Sequence, residues 1–407
     1  MRSLRSGIEF IVAIPSYMEA DTIPYVAKQV DLGLTRYFGH LKSIILNVDN
    51  NSEDDTKGAF LSTDTKNPKH YITTPEGVKG KGNNLLNFFR FANSHAATLK
   101  VAITVDADLR SITPEWIKYL GEPILKGYDY TLPLYSRHQF DGTITNHICY
   151  PLFYGLLGED VRQPIGGELG FSPALMNHWL KQKWDVQAKQ YGVDVFMTLH
   201  AIFGGFKICE TGLGAKIHKA SAPKLGPMFT QVITTLFNLL LSQESSWISI
   251  PVIKPKPKKH FGLKELGQPQ ELIIDMRNLK DKLREEYFPR EKLLKRILSD
   301  YASSSLVKMF EHDIYNIDIL MWTQLVYQLL FSYRNGSPQA KKDIVEALKP
   351  LYFTRSVTFN YVTWRYSPKY VEEAILEQAK AFAAQKPYYS GLHVNTAKKK
   401  AAKQQKC

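Results

Sequence analysis

The chain is poor in cysteine. Three in 407 residues, Cys149, Cys209 and Cys407, stand far apart, without metal-ligand spacing and too few for a disulfide framework. A disulfide-stapled secreted fold and a thiolate zinc site are therefore excluded, and a reducing cytoplasm is expected. Uninterrupted apolar runs are also scarce. None reaches the roughly 20 residues a membrane-spanning helix needs, and the longest candidate, Met228 to Leu241, is broken by Thr230, Gln231, Thr234, Thr235 and Asn238. It reads as a buried or interfacial helix. The apolar run Ile8 to Pro15 is too short for a secretory leader, so none is expected. Acidic residues are outnumbered, 39 against 52 Lys and Arg, leaving a formal charge of +13.

That excess collects in two places. Lys254 to His260 alternates Lys with Pro and favours an extended linker, and Lys398 to Lys406 is a terminal run that repels itself. Either is a solvated segment or an attractor of anions. With 44% apolar residues, a chain of this length buries two cores. The expected division is 1–250, an α/β domain; 251–262, a Lys/Pro-rich linker; 263–390, a helical C-terminal domain; and 391–407, a basic tail without fixed structure.

In the first half, short apolar runs alternate with helical patterns, as in a parallel sheet with crossover helices. Strands are expected at Phe10–Ile14, Ser43–Val48, His70–Thr73, Lys100–Val105 and Tyr130–Leu134. Helices are expected at Asp21–Leu32, Glu53–Leu61, Asn83–Ala97 and Pro114–Leu120, the last capped by Thr113. The second half carries helical patterns at Glu271–Tyr287, Arg290–Tyr301, Ile314–Tyr333, Ala340–Leu348 and Pro368–Ala384.

Open α/β sheets bind ligands at the carboxyl ends of their strands, and the chemistry-bearing segments fall there. Asp106-Ala107-Asp108 closes the run Val101–Val105, and alternation along an extended chain sends both carboxylates to one side. Two such carboxylates suit a hard divalent ion, whose shell phosphates can complete. The glycine-rich stretch Gly77 to Asn84 lacks the P-loop pattern. Its glycines permit close backbone approach, a helix start follows, and Lys81 can offset diphosphate charge.

Ile14-Pro15-Ser16-Tyr17-Met18-Glu19, Val48 to Asp54 and Asp106-Ala107-Asp108 resemble a nucleotide-sugar glycosyltransferase of the GT-A fold. Gln163-Pro164-Ile165-Gly166-Gly167-Glu168, Tyr191-Gly192-Val193-Asp194 and Gly214-Ala215-Lys216-Ile217-His218 resemble, more narrowly, the retaining mannosylglycerate and glucosyl-3-phosphoglycerate synthases. The stretch Ala347 to Ala381 looks like the helical extension of the former.

The resemblance implies a Rossmann-like GT-A domain with a C-terminal α-helical domain, and roles at matching positions. Asp106, Asp108 and His218 would hold Mg²⁺ or Mn²⁺. Pro15, Tyr17, Glu19, Asp49, Lys81, Asp106, Ala107, Gly166, Gly167 and Glu168 would line the donor site. Asp194 and Lys81 would be catalytic, Asp194 by positioning the acceptor, by stabilising oxocarbenium charge or by proton transfer.

Relatives that use phosphoglycerate carry an arginine in a Gly-Arg-Val-Thr segment where this chain has Gly142-Thr143-Ile144-Thr145. A threonine cannot supply that forked phosphate contact. The expected acceptor is therefore glycerate or a similar small hydroxy acid, held by Arg137, Thr143 and Thr145, unless Arg137 pairs instead with Asp141. The expected activity is a metal-dependent retaining transfer of mannose or glucose from a nucleoside-diphosphate sugar, as in compatible-solute synthesis. Transfer to 3-phosphoglycerate or to a lipid phosphate at a membrane surface is the alternative. Nucleic-acid binding is not expected, because the basic clusters lack interleaved aromatics. Homo-oligomer contacts are not separable from domain packing at this level.

Overall fold

The computed structural model describes residues 7–219, 225–251, 255, 257–272 and 276–393. Parts of the expected linker (252–254 and 256) and nearly all of the expected tail (394–407) lie outside the described residues. The chain divides into two compact units: residues 1–137, 162–235 and 258–270 in one, and 138–161, 236–257 and 271–407 in the other.

The first unit is built on an eight-stranded sheet. Its first four strands are β1 (Phe10–Ser16), β2 (Ser43–Asp49), β3 (Lys69–Thr73) and β4 (Val101–Thr104). Then come β5 (Tyr130–Ser136), β6 (Leu169–Phe171), β7 (Ile208–Ala215) and β8 (Lys259–Gly262). The order across the sheet is β3-β2-β1-β4-β6-β5-β7-β8. Pairing is parallel except around β6, which runs antiparallel to both β4 and β5. The sheet is thus mixed, not purely parallel as the strand–helix alternation implies. Lys259 and His260, assigned to a linker by composition, pair with Cys209 and Glu210 of β7.

The expected strands and helices of the first half are present with boundaries shifted by a few residues. Helices α1 (Ile23–Phe38), α2 (Thr56–Ser62), α3 (Lys81–Asn93) and α4 (Pro114–Leu125) fill the crossovers. Strands β1, β2 and β4 are buried along their whole length, as expected where helices cover both faces. Phe10, Val12 and Ile14 pack with Val26, Val30 and Leu34 of α1 and with Trp116, Ile117 and Leu120 of α4. Thr113 sits at the N-cap position of α4, but its side chain makes no cap bond.

The second unit is helical. Between β5 and β6 its first segment passes through a π-helical turn (Thr145–Cys149), the short α5 (Tyr150–Leu152) and a second π-helical turn (Phe153–Leu157). Further on it holds α10 (Met276–Tyr287), α11 (Glu291–Ile297), α12 (Asp300–Glu311), α13 (Ile319–Arg334), α14 (Pro338–Thr363) and α15 (Pro368–Ala384). The segment expected to be a helix over Ala340–Leu348 continues through Pro350 to Thr363. Tyr150, Tyr154, Phe359, Val371, Ile375 and Ala379 form one apolar cluster there.

Between α5 and α10 in the chain come α6 (Pro173–Leu180), α7 (Val193–Phe203), α8 (Leu225–Ser242) and α9 (Glu244–Trp247), and helix α8 contains the apolar segment noted above. By length and composition it could cross a membrane. Its Phe229, Ile233, Leu236, Phe237 and Leu240 are buried in the protein, as a core helix requires.

Candidate active site at the carboxyl ends of the strands

The loops that follow β1, β2 and β4 meet at one edge of the sheet. After β4 the side chains alternate: Ala107 and Leu109 enter the core, while Asp106 and Asp108 are half-buried and Arg110 is exposed. That alternation puts both carboxylates on the face away from the core. The backbone N–H of Arg110 donates to the Ile217 carbonyl at 2.8 Å, and the Ile217 N–H donates to Ser111 Oγ at 2.9 Å. Residues 216–218, which include His218, are thereby pinned beside the acidic motif.

Two ammonium groups flank Asp106. Lys81 Nζ lies 3.2 Å from its Oδ1 and 3.3 Å from Asp194 Oδ2. Lys216 Nζ lies 3.4 Å from Oδ2 of Asp106, 2.8 and 2.9 Å from the two oxygens of Glu168, and 3.1 Å from the Gly166 carbonyl. Burial opposes charge on Asp106, but Lys81 and Lys216 outweigh it and hold its carboxyl well below the usual range. Burial likewise opposes the Lys81 charge, and Asp106, Asp194 and Glu168 overcome it, raising its pKa. For Glu168 burial wins. Its carboxyl is pushed up to about 7 despite Lys216, with Asp106 adding to the rise.

Lys81 reaches this cluster because of its glycines. Gly80 takes φ +126, and a side chain on it would meet the Lys189 carbonyl at 2.5 Å; on Gly82 it would meet the Ala188 carbonyl at 2.0 Å. The N–H groups of Gly82 and Asn83 donate to the carbonyls of Gln190 and Lys189 at 3.1 and 2.9 Å. The glycines that suggest phosphate approach in the sequence thus admit the protein's own backbone. That contact carries the start of α3 against residues 187–190 and the start of α7 (Val193–Phe203), where Asp194 lies.

The turn Gln163–Glu168 is tied down from several sides. Gln163 exchanges two hydrogen bonds with the backbone of Tyr135, at 2.9 and 3.3 Å. Thr198 donates to the Pro164 carbonyl at 2.7 Å, and the Tyr135 hydroxyl donates to Glu168. Gly167 takes φ +95 and faces the ions: a side chain there would lie 2.7 Å from Asp106 Oδ2 and 3.4 Å from both ammonium nitrogens. Only glycine tolerates that conformation without strain.

Pro15 and Ser16 close β1, and the residues after them form the neighbouring wall. Lys79 Nζ donates to the Tyr17 hydroxyl at 2.8 Å and lies over its ring. Met18 holds a left-handed φ of 58°. Glu19 accepts from Lys219 at 2.7 Å and from Thr22 at 3.0 Å, while burial raises its pKa. Asp49, expected to line the donor site, is buried and fully engaged by protein donors: Ser16 Oγ at 2.8 Å, the Ser52 N–H at 2.8 Å, Ser52 Oγ at 2.6 Å and the Tyr71 hydroxyl at 3.1 Å. In this arrangement its carboxylate braces the loops after β1 and β2.

The structure therefore brings Lys81, Asp106, Glu168, Asp194, Gly166 and Gly167 together. Among the described residues it does not gather three acidic, His or Cys groups close enough to hold a metal. Asp106, Asp108 and His218 are the right donor types for Mg²⁺ or Mn²⁺ and stand on adjoining segments, while both Asp106 oxygens are engaged by lysines. Arg137 belongs to this unit, with its guanidinium 5.3 Å from the Tyr135 ring centre. Thr143 and Thr145 are buried in the helical unit, where the Thr143 hydroxyl pairs with that of Tyr352. Lys216 and Tyr135 escaped the sequence reading. Lys216 stands in the Gly214–His218 motif, two residues before His218, but nothing local to that motif shows which carboxylates its ammonium meets.

A mixed sheet with an acidic motif at the end of β4 and a helical companion unit defines a GT-A glycosyltransferase fold. Residues 11–177 match the Glycosyl transferase family 2 model. No curated protein matches the chain in sequence. Among solved structures, the chain is similar to glucosyl-3-phosphoglycerate synthase from Mycobacterium tuberculosis in complex with Mn²⁺, UDP and glucosyl-3-phosphoglycerate. The similarity covers 57% of this chain and 80% of that one, at 24% identity and a TM-score of 0.47. The same enzyme with Mn²⁺, UDP-glucose and glycerol 3-phosphate gives the same figures, and with Mg²⁺ and UDP the identity is 23%.

Proposed function

We propose that this protein is a retaining hexosyltransferase that moves mannose or glucose from a nucleoside-diphosphate sugar to glycerate or a similar small hydroxy acid, in the cytoplasm. The observation that carries the reading is the Asp106–Lys81–Asp194 arrangement at the carboxyl ends of the strands, beside the residues that match the family 2 glycosyltransferase model. Lys81 is charged and 18% exposed, which suits it to take up negative charge as the diphosphate departs. Asp194 stands across that ammonium and offers a carboxylate to the sugar's developing positive charge or to the acceptor hydroxyl. Asp106, Asp108 and His218 would hold the divalent cation, which when bound supplies Lewis-acid polarisation of the phosphate oxygens. Gly167 leaves the side of the turn that faces Asp106 and Lys81 free of a side chain, and Gly166 makes room for Pro133 behind it.

Retention follows in this reading from attack on the face the leaving group vacates, because no carboxylate is assigned as a nucleophile. The unphosphorylated acceptor rests on Gly142-Thr143-Ile144-Thr145, which lacks the arginine that a phosphate would engage; Arg137, Thr143 and Thr145 are the proposed acceptor contacts. The test is a panel of GDP- and UDP-sugars with glycerate, 3-phosphoglycerate and lipid phosphates, scored by released diphosphate and by the product anomer. Turnover with glycerate, retention at the anomeric carbon, loss with EDTA and recovery with Mn²⁺ or Mg²⁺ are expected. Release with none of the donors, or a clear preference for 3-phosphoglycerate, rejects the corresponding part of the reading.

A further inference from the structure

The two lysines on Asp106 differ in what they have left to donate. An ammonium carries three N–H groups. Around Lys216 stand the Glu168 carboxylate, the Gly166 carbonyl and Asp106 Oδ2, one acceptor for each N–H, and its side chain is 5% exposed. Lys81 faces two carboxylates and is more open, so one N–H has no protein acceptor among the described residues.

We propose that Lys216 is a positioning residue that clamps the Gly166–Glu168 turn onto Asp106, leaving Lys81 as the ammonium that meets the donor diphosphate. The proposal rests on the glycosyltransferase reading of this site. Lys216 grips the turn on both sides of Gly167, by the Gly166 carbonyl and the Glu168 carboxylate, and its remaining contact is Asp106. The other anchors of the turn, Gln163 to Tyr135, Thr198 to Pro164 and Tyr135 to Glu168, secure it to β5 and α7 but do not touch Asp106. Glu168 itself lies within hydrogen-bond reach of Asp106, and Lys216, held by both carboxylates and by the Gly166 carbonyl, fixes the spacing between the bare face of Gly167 and the Asp106–Lys81 pair. A ligand phosphate cannot recruit it without breaking one of three existing contacts.

A buried ammonium that merely neutralises Glu168 would show much of the same geometry, and a double variant separates the two roles. Lys216→Met removes the ammonium that offsets the neighbouring carboxyls and leaves the Glu168 carboxyl and the Gly166 carbonyl without their donor, which costs stability on either view. Adding Glu168→Gln supplies a neutral side chain with its own N–H donors in place of the unpartnered carboxyl. If Lys216 positions the turn, the double variant regains thermal stability while kcat stays ~10-fold or more below that of Glu168→Gln alone, the order expected of a misplaced reacting group. The donor KM changes less than threefold, whereas Lys81→Met raises it. Lys216→Arg, which keeps the charge and donors, recovers part of kcat.

Backbone hydrogen exchange at 166–168, read without substrate, is expected to quicken in the double variant and to stay at the wild-type rate in Lys81→Met. Recovery of kcat together with stability in the double variant would overturn the proposal, as would unchanged exchange at the turn. Absence of turnover in the wild type would instead reject the glycosyltransferase reading, and the exchange result would still decide whether Lys216 clamps the turn.

Discussion

Lys81 and Asp194 are 113 positions apart in the chain and 3.3 Å apart in the fold. Their meeting depends on two helix starts, those of α3 and α7, and on the glycines that let the first approach the segment before the second. Removing the ammonium should uncouple binding from chemistry. Lys81→Met is expected to lower kcat by roughly 10²–10³, the usual cost of losing a group aimed at developing charge. Steady-state release of nucleoside diphosphate measures it; activity within threefold of wild type would remove Lys81 from the mechanism.

Gly82→Ala tests how Lys81 is delivered. Its new methyl would sit 2.0 Å from the Ala188 carbonyl oxygen and 2.7 Å from Lys189 Cα, both backbone atoms that cannot rotate away. The expected cost is about 1–3 kcal/mol by urea unfolding, typical of overpacking. Activity should fall by more than that loss explains, because α3 carries Lys81.

Asp49→Ala leaves two serine hydroxyls, one backbone N–H and a tyrosine hydroxyl without their shared acceptor. Each stranded buried donor carries a penalty, and a net loss of about 2–4 kcal/mol is expected. Denaturant midpoints check it. Unchanged stability would show that the carboxylate does not brace these loops and would return Asp49 to a direct role in the donor site.

Acid sensitivity should come in part from His200, which sits in the last turn of α7 against Phe196 and His178. Burial, with His178 adding, pushes its pKa down from 6.5 to about 4. As pH falls, the unfolded chain takes up this proton first, so the contribution is intact above about 6.5 and is lost progressively between 6.5 and 4. The full effect is about 3 kcal/mol at 1.36 kcal/mol per unit. His200→Gln should flatten the stability curve across that window in thermal melts at fixed ionic strength; an unaltered slope would exclude His200 as a source.

Much of the first unit was legible in the order of residues. Strands β1, β2 and β4 are buried throughout and mostly apolar because both faces are covered, and a run of that kind bounded by turns is visible without coordinates. Asp106-Ala107-Asp108 could be placed at a strand's end for the same local reason. The three-residue β6 has no period to detect, and Lys259–Gly262 reads as a charged linker because its pairing to β7 is supplied by distant chain. Antiparallel entry of β6 between β4 and β5 is likewise a matter of which edges meet.

The sequence by itself determined the strand runs, the acidic motif and the glycine-rich approach to Lys81, since each depends on neighbours within a few residues. Tertiary structure alone decided that those glycines admit residues 187–190, that Asp49 is enclosed by protein donors, and that Lys216 joins Glu168 to Asp106. Ion pairs and close backbone approaches are set by where whole elements pack, and residue spacing along the chain carries no record of that distance.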